Sequence, residues 1–298
     1  MIEIRGVTKY FDKIKALDDV DINIKDGSIY GLVGTNGAGK TTIIKNIMGI
    51  QKPEEGTISI SGQPVYENPE VKKKLGYVSD DMFFFHGYSL QDMRNFYKGL
   101  YEDWNDERFQ VLVKDFGLHM KRKISTFSKG MQKQAAIILA LSIMPDYLIL
   151  DEPIDGLDPI MRLKAWKHII DDVADRNTSV LVSSHNLREM EGYCDYIGII
   201  SDGKMVMERD LEDLKTDVHK VQVAFTEGAK KDFSELNILH IKSRGSVDLL
   251  IVRDKREKIE EIIGKENPAV FDVLPLTLEE IFIYELGGEN DEIKEIIK

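Results

Sequence analysis

Ile2, Ile4 and Val7, then Val20, Ile22 and Ile24, place apolar side chains at or near alternate positions, and each set predicts a short strand. Asp26-Gly27 supplies a turn signal. Residues 29–33 are an apolar run that leads straight into a glycine-rich stretch, Gly34 to Gly39. Ile43, Ile44, Ile47 and Met48 follow at helical spacing. The order strand, glycine-rich loop, helix is thus present in the pattern itself. Further along, 57–61 reads as a strand, 89–118 as helical, 131–143 as a helix and 147–150 as a buried strand. Then come a helix at 159–174, a strand at 180–183, a short helix at 187–194 and a strand at 196–200. Strands and helices of these lengths in alternation predict an α/β domain with a largely parallel sheet.

The pattern changes near residue 217. Residues 221–225 and 247–252 read as strands and 256–264 as a helix, while 291–298 form a charged tail. We place a boundary between 217 and 218, with a small α+β domain over 218–298. Composition narrows the picture. The 298 residues are 42% hydrophobic and 31% charged, with a net charge of −12. Such acidity argues against nucleic acid as the main partner, because phosphate backbones demand clustered Lys and Arg. A lone cysteine, Cys194, allows no internal disulfide and suits a reducing compartment; it reads as a packed residue. Residues 1–10 carry Glu3, Arg5 and Lys9 and are not expected to form a signal peptide. The most apolar run, 135–144, is about half the length of a membrane span. A membrane role therefore has to come through a partner.

Three segments carry chemistry. Gly34-Thr35-Asn36-Gly37-Ala38-Gly39-Lys40-Thr41 fits the phosphate-loop pattern GxxxxGK[ST]. Its glycines let backbone N–H groups turn inward on phosphate oxygens, and the following helix points its positive end at the anion. Lys40 would reach the terminal phosphates and the Thr41 hydroxyl would bind Mg²⁺. Residues 147–150 end in Asp151, Glu152 and Pro153, two acids emerging at the carboxyl end of an apolar strand. Asp151 would orient the metal or its water, and Glu152 would act as general base. In Phe127-Ser128-Lys129-Gly130-Met131-Gln132, Ser128 is a candidate N-cap, 23 positions before Asp151.

These pieces, in this order, resemble the nucleotide-binding subunit of ABC transporters over about residues 1–217. Gly34 to Thr41 resembles Walker A, Ser128 to Gln132 the signature motif usually written LSGGQ, and 147–152 Walker B. Gly156-Leu157-Asp158 resembles the D-loop and His185 the switch histidine. The resemblance implies a P-loop ATPase domain with an antiparallel β-subdomain and a helical subdomain at about 85–140. It implies ATP and Mg²⁺ as ligands, with Gly34, Thr35, Asn36, Gly37, Ala38, Gly39, Lys40, Thr41 and Thr42 on the nucleotide and Phe11, next to Tyr10, stacked on adenine. It also implies a head-to-tail pair in which each ATP lies between one subunit's Walker A and the partner's signature motif, there met by Ser128 and Gly130. Glu152 and His185 would be catalytic; Thr41, Asp151 and Asp80 would serve the metal.

Asp80 stands where most members of the family carry the Q-loop Gln, and Lys129 and Met131 replace Gly and Gln of the signature. The Ser-Lys-Gly-Met-Gln version is similar to the bacterial drug- and peptide-export branch, including bacitracin- and daunorubicin-type exporters. That branch implies a separate transmembrane permease as partner, with the chain peripheral on the cytoplasmic face of the membrane. Leu276 to Phe282 resembles an ending common there. Homodimer and heterodimer both remain open. Phe83, Phe84, Phe85 and Tyr88 read either as local core or as the lining of a groove for a permease helix. Two other function classes fit the same motifs: a soluble ABC ATPase acting in assembly or regulation, and a low-turnover half of a heterodimer.

Overall fold

The computed structural model describes residues 1–226, 233–274 and 276–285. β1 (Ile2–Phe11) and β2 (Ile14–Ile24) pair as an antiparallel hairpin. Alternation breaks where the register shifts between Ile4 and Val7, next to Gly6 at φ 58°, and this bulge buries Val7 and Thr8 together. β3 (Ile29–Val33) is buried at every position, as a central parallel strand requires. Then follow α1 (Lys40–Ile47), β4 (Glu55–Ile60), β5 (Gln63–Pro64), α2 (Pro69–Lys72) and β6 (Leu75–Val78). The single helical pattern at 89–118 resolves into α3 (Leu90–Leu100) and α4 (Asp106–Phe116). The break has a local cause: Asp106 accepts from Arg94 Nε and Nη2, both at 2.8 Å, and from Trp104 Nε1 at 2.7 Å, while Asn105 caps α4.

α5 (Lys129–Ser142), β7 (Tyr147–Asp151), α6 (Pro159–Arg176), β8 (Ser179–Ser184), β9 (Tyr196–Ser201) and β10 (Lys204–Asp210) complete the series. The expected helix at 187–194 is only a short turn over Leu187–Glu189, and Gly192, at φ 87°, turns the chain onward. One sheet runs β2-β1-β4-β5 with antiparallel pairing; the other runs β10-β9-β3-β8-β7-β6, and from β9 to β6 its neighbours pair in parallel. A shared core joins the two sheets, with Ile43, Ile44 and Ile47 of α1 beside Ile2, Ile22, Leu32, Ile149 and Leu181. This is the α/β ATPase architecture expected, antiparallel subdomain included.

The chain divides into two units, residues 1–185 with 192–208, and residues 186–191 with 209–298. The second holds α7 (Leu211–Asp217), β11 (Val218–Ala224), β12 (Ile238–Arg244), β13 (Val247–Arg253), α8 (Arg256–Lys265), β14 (Val270–Leu274) and α9 (Leu278–Glu285). Its antiparallel sheet runs β12-β13-β11-β14, and Ile259 and Ile263 of α8 pack on Val221, Val223, Leu250 and Val252. Within this unit α9 buries Leu278 and Ile281, and Arg188 pairs with Glu279 at 2.8 Å. The charged tail 291–298 lies outside the described residues. Among the described residues no helix is long and apolar enough to cross a membrane.

Candidate functional site

The strand order brings the carboxyl ends of β3, β8, β7 and β6 side by side, and those ends carry Gly34, His185, Glu152 and Asp80. Open α/β sheets bind ligands at this edge. The loop after β3 turns through Gly37 (φ 87°) and Gly39 (φ 112°), the latter serving as N-cap of α1 with no side-chain cap. Gly39 is obligatory twice over: its backbone is left-handed, and a Cβ would sit 3.0 Å from the Ala16 carbonyl oxygen. Within the loop Gly34, Ala38 and Lys40 are buried, Asn36, Gly37 and Thr41 exposed, and Thr35, Gly39 and Thr42 half-buried.

Lys40 Nζ donates to the Gly34 and Thr35 carbonyls at 2.7 and 3.2 Å. It also lies 3.2 Å from Glu152 Oε1, an electrostatic pairing, since that oxygen makes no hydrogen bond. Glu152 Oε2 meets His185 Nδ1 at 3.0 Å. The carboxylate therefore bridges the loop lysine and the histidine after β8. Its backbone is left-handed, φ 46°, a conformation that costs a non-glycine residue about 1–3 kcal/mol and persists only where the surroundings enforce it. Two contacts do so: the Glu152 N–H donates to Ser183 Oγ at 3.0 Å, and its carbonyl accepts from Lys133 Nζ at 2.6 Å.

Asp151 is 1% exposed. Its oxygens accept from the hydroxyls of Thr41, at 2.8 Å, and Ser183, at 2.7 Å. Burial pushes its carboxyl above the usual range; those two hydroxyls pull it down, and the charges of Glu152 and Asp80 push it up further. A buried carboxylate held by neutral hydroxyls, beside a phosphate loop, offers the oxygen donors that suit a hard divalent cation. Tyr77, on the neighbouring strand, is pushed up to about 12 by burial and by the Asp151 charge. Asp80 is exposed, and its Oδ1 pairs with Lys133 Nζ at 3.2 Å. Asp155 joins the rim, 3.9 Å from His185.

Ser128 caps α5 by accepting the Met131 N–H at 3.2 Å, and its side chain is otherwise open to solvent. Gly130 lies against the turn that bears Gly156: a Cβ there would sit 2.7 Å from the Gly156 carbonyl oxygen. Phe11, at the end of β1, is 42% exposed with Lys9 Nζ 5.6 Å from its ring. Tyr10 is likewise exposed beneath Lys15. Cys194 is half-buried, and burial raises its thiol. The structure thus gathers residues 34–42, Asp151, Glu152, His185 and Asp80 at one edge, and sets Ser128 and Phe11 on exposed positions of the same unit. Two residues escaped the sequence reading. Ser183 is a buried hydroxyl in an apolar strand, and Lys133 is a lysine one turn before Ile137 on the buried side of α5. Polar residues at core-facing positions were the available signal.

Comparison with known proteins gives the family. Residues 17–155 match the family described as ABC transporter. Over 290 residues, 97% of this chain and 99% of the relative, it is 31% identical to the ABC transporter ATP-binding protein YtrB of Bacillus subtilis (strain 168). It is 34% identical to the bacitracin transport ATP-binding protein BcrA of Bacillus licheniformis, over 72% of this chain and 71% of that one. Among solved structures, an ATP-binding subunit of an ABC transporter superposes with a TM-score of 0.67 at 28% identity, covering 72% of this chain and 92% of the other.

Proposed function

The chain belongs to the ATP-binding subunits of ABC transporters, and from that premise we propose how its residues divide the work. It is a transport ATPase; the cassette is residues 1–217 and residues 218–298 are an accessory domain. Residues 34–42 hold the phosphates, with Lys40 as the cation for the terminal groups, and Phe11 offers its open face to the base. Thr41 and Asp151 would hold Mg²⁺, which would supply positive charge against that developing on the phosphate oxygens. Glu152 takes the proton from the attacking water, and His185 orients it. The observation that carries this reading is the Glu152 carboxylate, bridged between Lys40 and His185 on a backbone fixed from both sides. A base so held needs little reorganisation when charge moves.

Hydrolysis takes place in a head-to-tail pair of such subunits, in which Ser128 and the N–H groups near Gly130 complete the partner's phosphate site. The subunit works on the cytoplasmic face of a membrane through a separate permease, and the direction is export, in keeping with the bacitracin relative. The exposed aromatics support a permease partner. Phe83 is 78% exposed, and Phe85 packs on Phe83, Tyr88 and Phe96 with ring centroids 5.8, 5.1 and 5.0 Å apart, a contiguous surface rather than buried core. The test is Glu152→Gln in Mg-ATP, read by turnover and by oligomeric state. We expect turnover to fall by about 10²–10⁴, the span of general-base catalysis, with an ATP-bound dimer accumulating. Unchanged turnover would remove Glu152 from the role of base.

A further inference from the structure

Lys133 is 4% exposed, and neither the phosphate loop nor the signature contacts call for it. A lysine buried so deeply is held by what its ammonium meets, because an unpaired cation in the interior shifts its pKa or unfolds its surroundings. Its Nζ meets two groups: the carbonyl oxygen of Glu152 at 2.6 Å and Asp80 Oδ1 at 3.2 Å. Asp80 follows β6 and Glu152 follows β7, neighbouring parallel strands in register from Leu75↔Tyr147 to Val78↔Leu150. One ammonium on α5 therefore ties together the residues beyond two adjacent strand ends. The same contact supplies the carbonyl end of the left-handed Glu152 residue, whose N–H end Ser183 holds. The aspartate at position 80 suits this arrangement. A carboxylate gives the lysine a full counter-charge, where an amide would give only a dipole.

We propose that Lys133 is a positioning residue of the ATPase site, with Asp80 as its counter-ion. It sets the aim of the Glu152 side chain by holding the Glu152 carbonyl, and Asp80 sets the aim of Lys133. The proposal rests on the reading of Glu152 as base. It makes Asp80 the partner of a lysine rather than an oxygen donor to the metal.

The experiment uses the full chain in four forms: Lys133→Met, Lys133→Arg, Asp80→Asn, and Lys133→Met combined with Asp80→Asn. Turnover and KM are measured with Mg-ATP, affinity with a fluorescent ATP analogue, and thermal midpoint alongside. Misaiming a base lowers kcat without loosening the substrate. Lys133→Met should therefore lose about tenfold or more in kcat while KM and analogue affinity stay within about twofold. Asp80→Asn should lose less, Lys133→Arg should recover part of the rate, and the double variant should be no slower than Lys133→Met alone. The Mg²⁺ concentration for half-maximal rate should be unchanged in Asp80→Asn. Losses that multiply in the double variant, or a raised Mg²⁺ requirement in Asp80→Asn, overturn the proposal. Asp80 is exposed and Lys133→Arg keeps the charge, so the outcome stands even if Lys133→Met fails to fold. Glu152→Gln run in parallel separates the two readings: unaltered turnover there overturns Glu152 as base, whereas a slow Glu152→Gln with independent Lys133 and Asp80 effects overturns Lys133 alone.

Discussion

Helices α1 and α5 use the same device at different degrees of completion. Each begins beside a glycine, and neither has an acidic residue in its first turn. Helices α3 and α4 do, with Asp92 in one and Asp106 and Glu107 in the other. Acids there would neutralise the positive end of the helix, so their absence leaves both ends free to attract an anion. The difference lies in what surrounds them. The start of α1 has no side-chain cap and is enclosed by its own chain: Lys40 is buried, Gly34 is buried, and the Ala16 carbonyl closes on Gly39. The start of α5 is capped by Ser128 and open, with Lys129 exposed beside it. On the proposed function, one subunit carries a finished phosphate cradle at α1 and, at α5, a second that another molecule's phosphates would complete. The contrast teaches that affinity and assembly can be written into separate helix ends.

That contrast can be broken at either end. The largest effect is expected from Lys40→Met, which removes the cation of the finished cradle: affinity for a fluorescent ATP analogue should fall by roughly 100-fold, the scale of a lost charge-assisted contact to phosphate. An affinity kept within threefold would mean that α1 is not the cradle. Next comes Gly130→Ala. Its Cβ would meet the Gly156 carbonyl and displace the start of α5. Turnover should fall by about tenfold to 10²-fold, as misplacements near 1 Å do, while single-subunit affinity for the analogue stays nearly constant. A fall in affinity that matches the fall in rate would erase the distinction between the helices. The smallest effect is expected for Ser128→Ala. Loss of the cap should cost about 1 kcal/mol of stability in urea unfolding, and ATP-dependent dimerisation should weaken without a change in monomer affinity.

What could be read from the sequence follows the range of the interactions involved. The phosphate loop was legible because its chemistry is local: eight consecutive residues carry it, between a strand and a helix that announce themselves by pattern. The buried strands at 29–33 and 147–150 were legible for the same reason. β12 was not. Only Ile238 and Leu239 at its start are half-buried; from His240 to Arg244 every side chain is exposed, so no apolar alternation marks most of the strand. Its place depends on pairing with β13, a contact that sequence periodicity does not record. Leu187, Met190 and Cys194 are spaced for a helix, yet only residues 187–189 make a helical turn, because the left-handed Gly192 stops it. Within the site, Ser183 and Lys133 lie 31 and 19 positions from the Glu152 peptide they hold. Their roles arise only when the strand ends are brought together.

The contact between Gly130 and Gly156 has a mechanical consequence. Backbone lies against backbone there, with no side chain between to rotate or compress. A joint padded by side chains can absorb a small shift by changing rotamers; this one has no such slack. A push that drives the beginning of α5 toward the turn leading into α6 meets backbone at once, with no rotamer change to soften it. Closer approach of the two segments is barred by the backbone itself, so a movement that brings them together has to be taken up elsewhere in the chain.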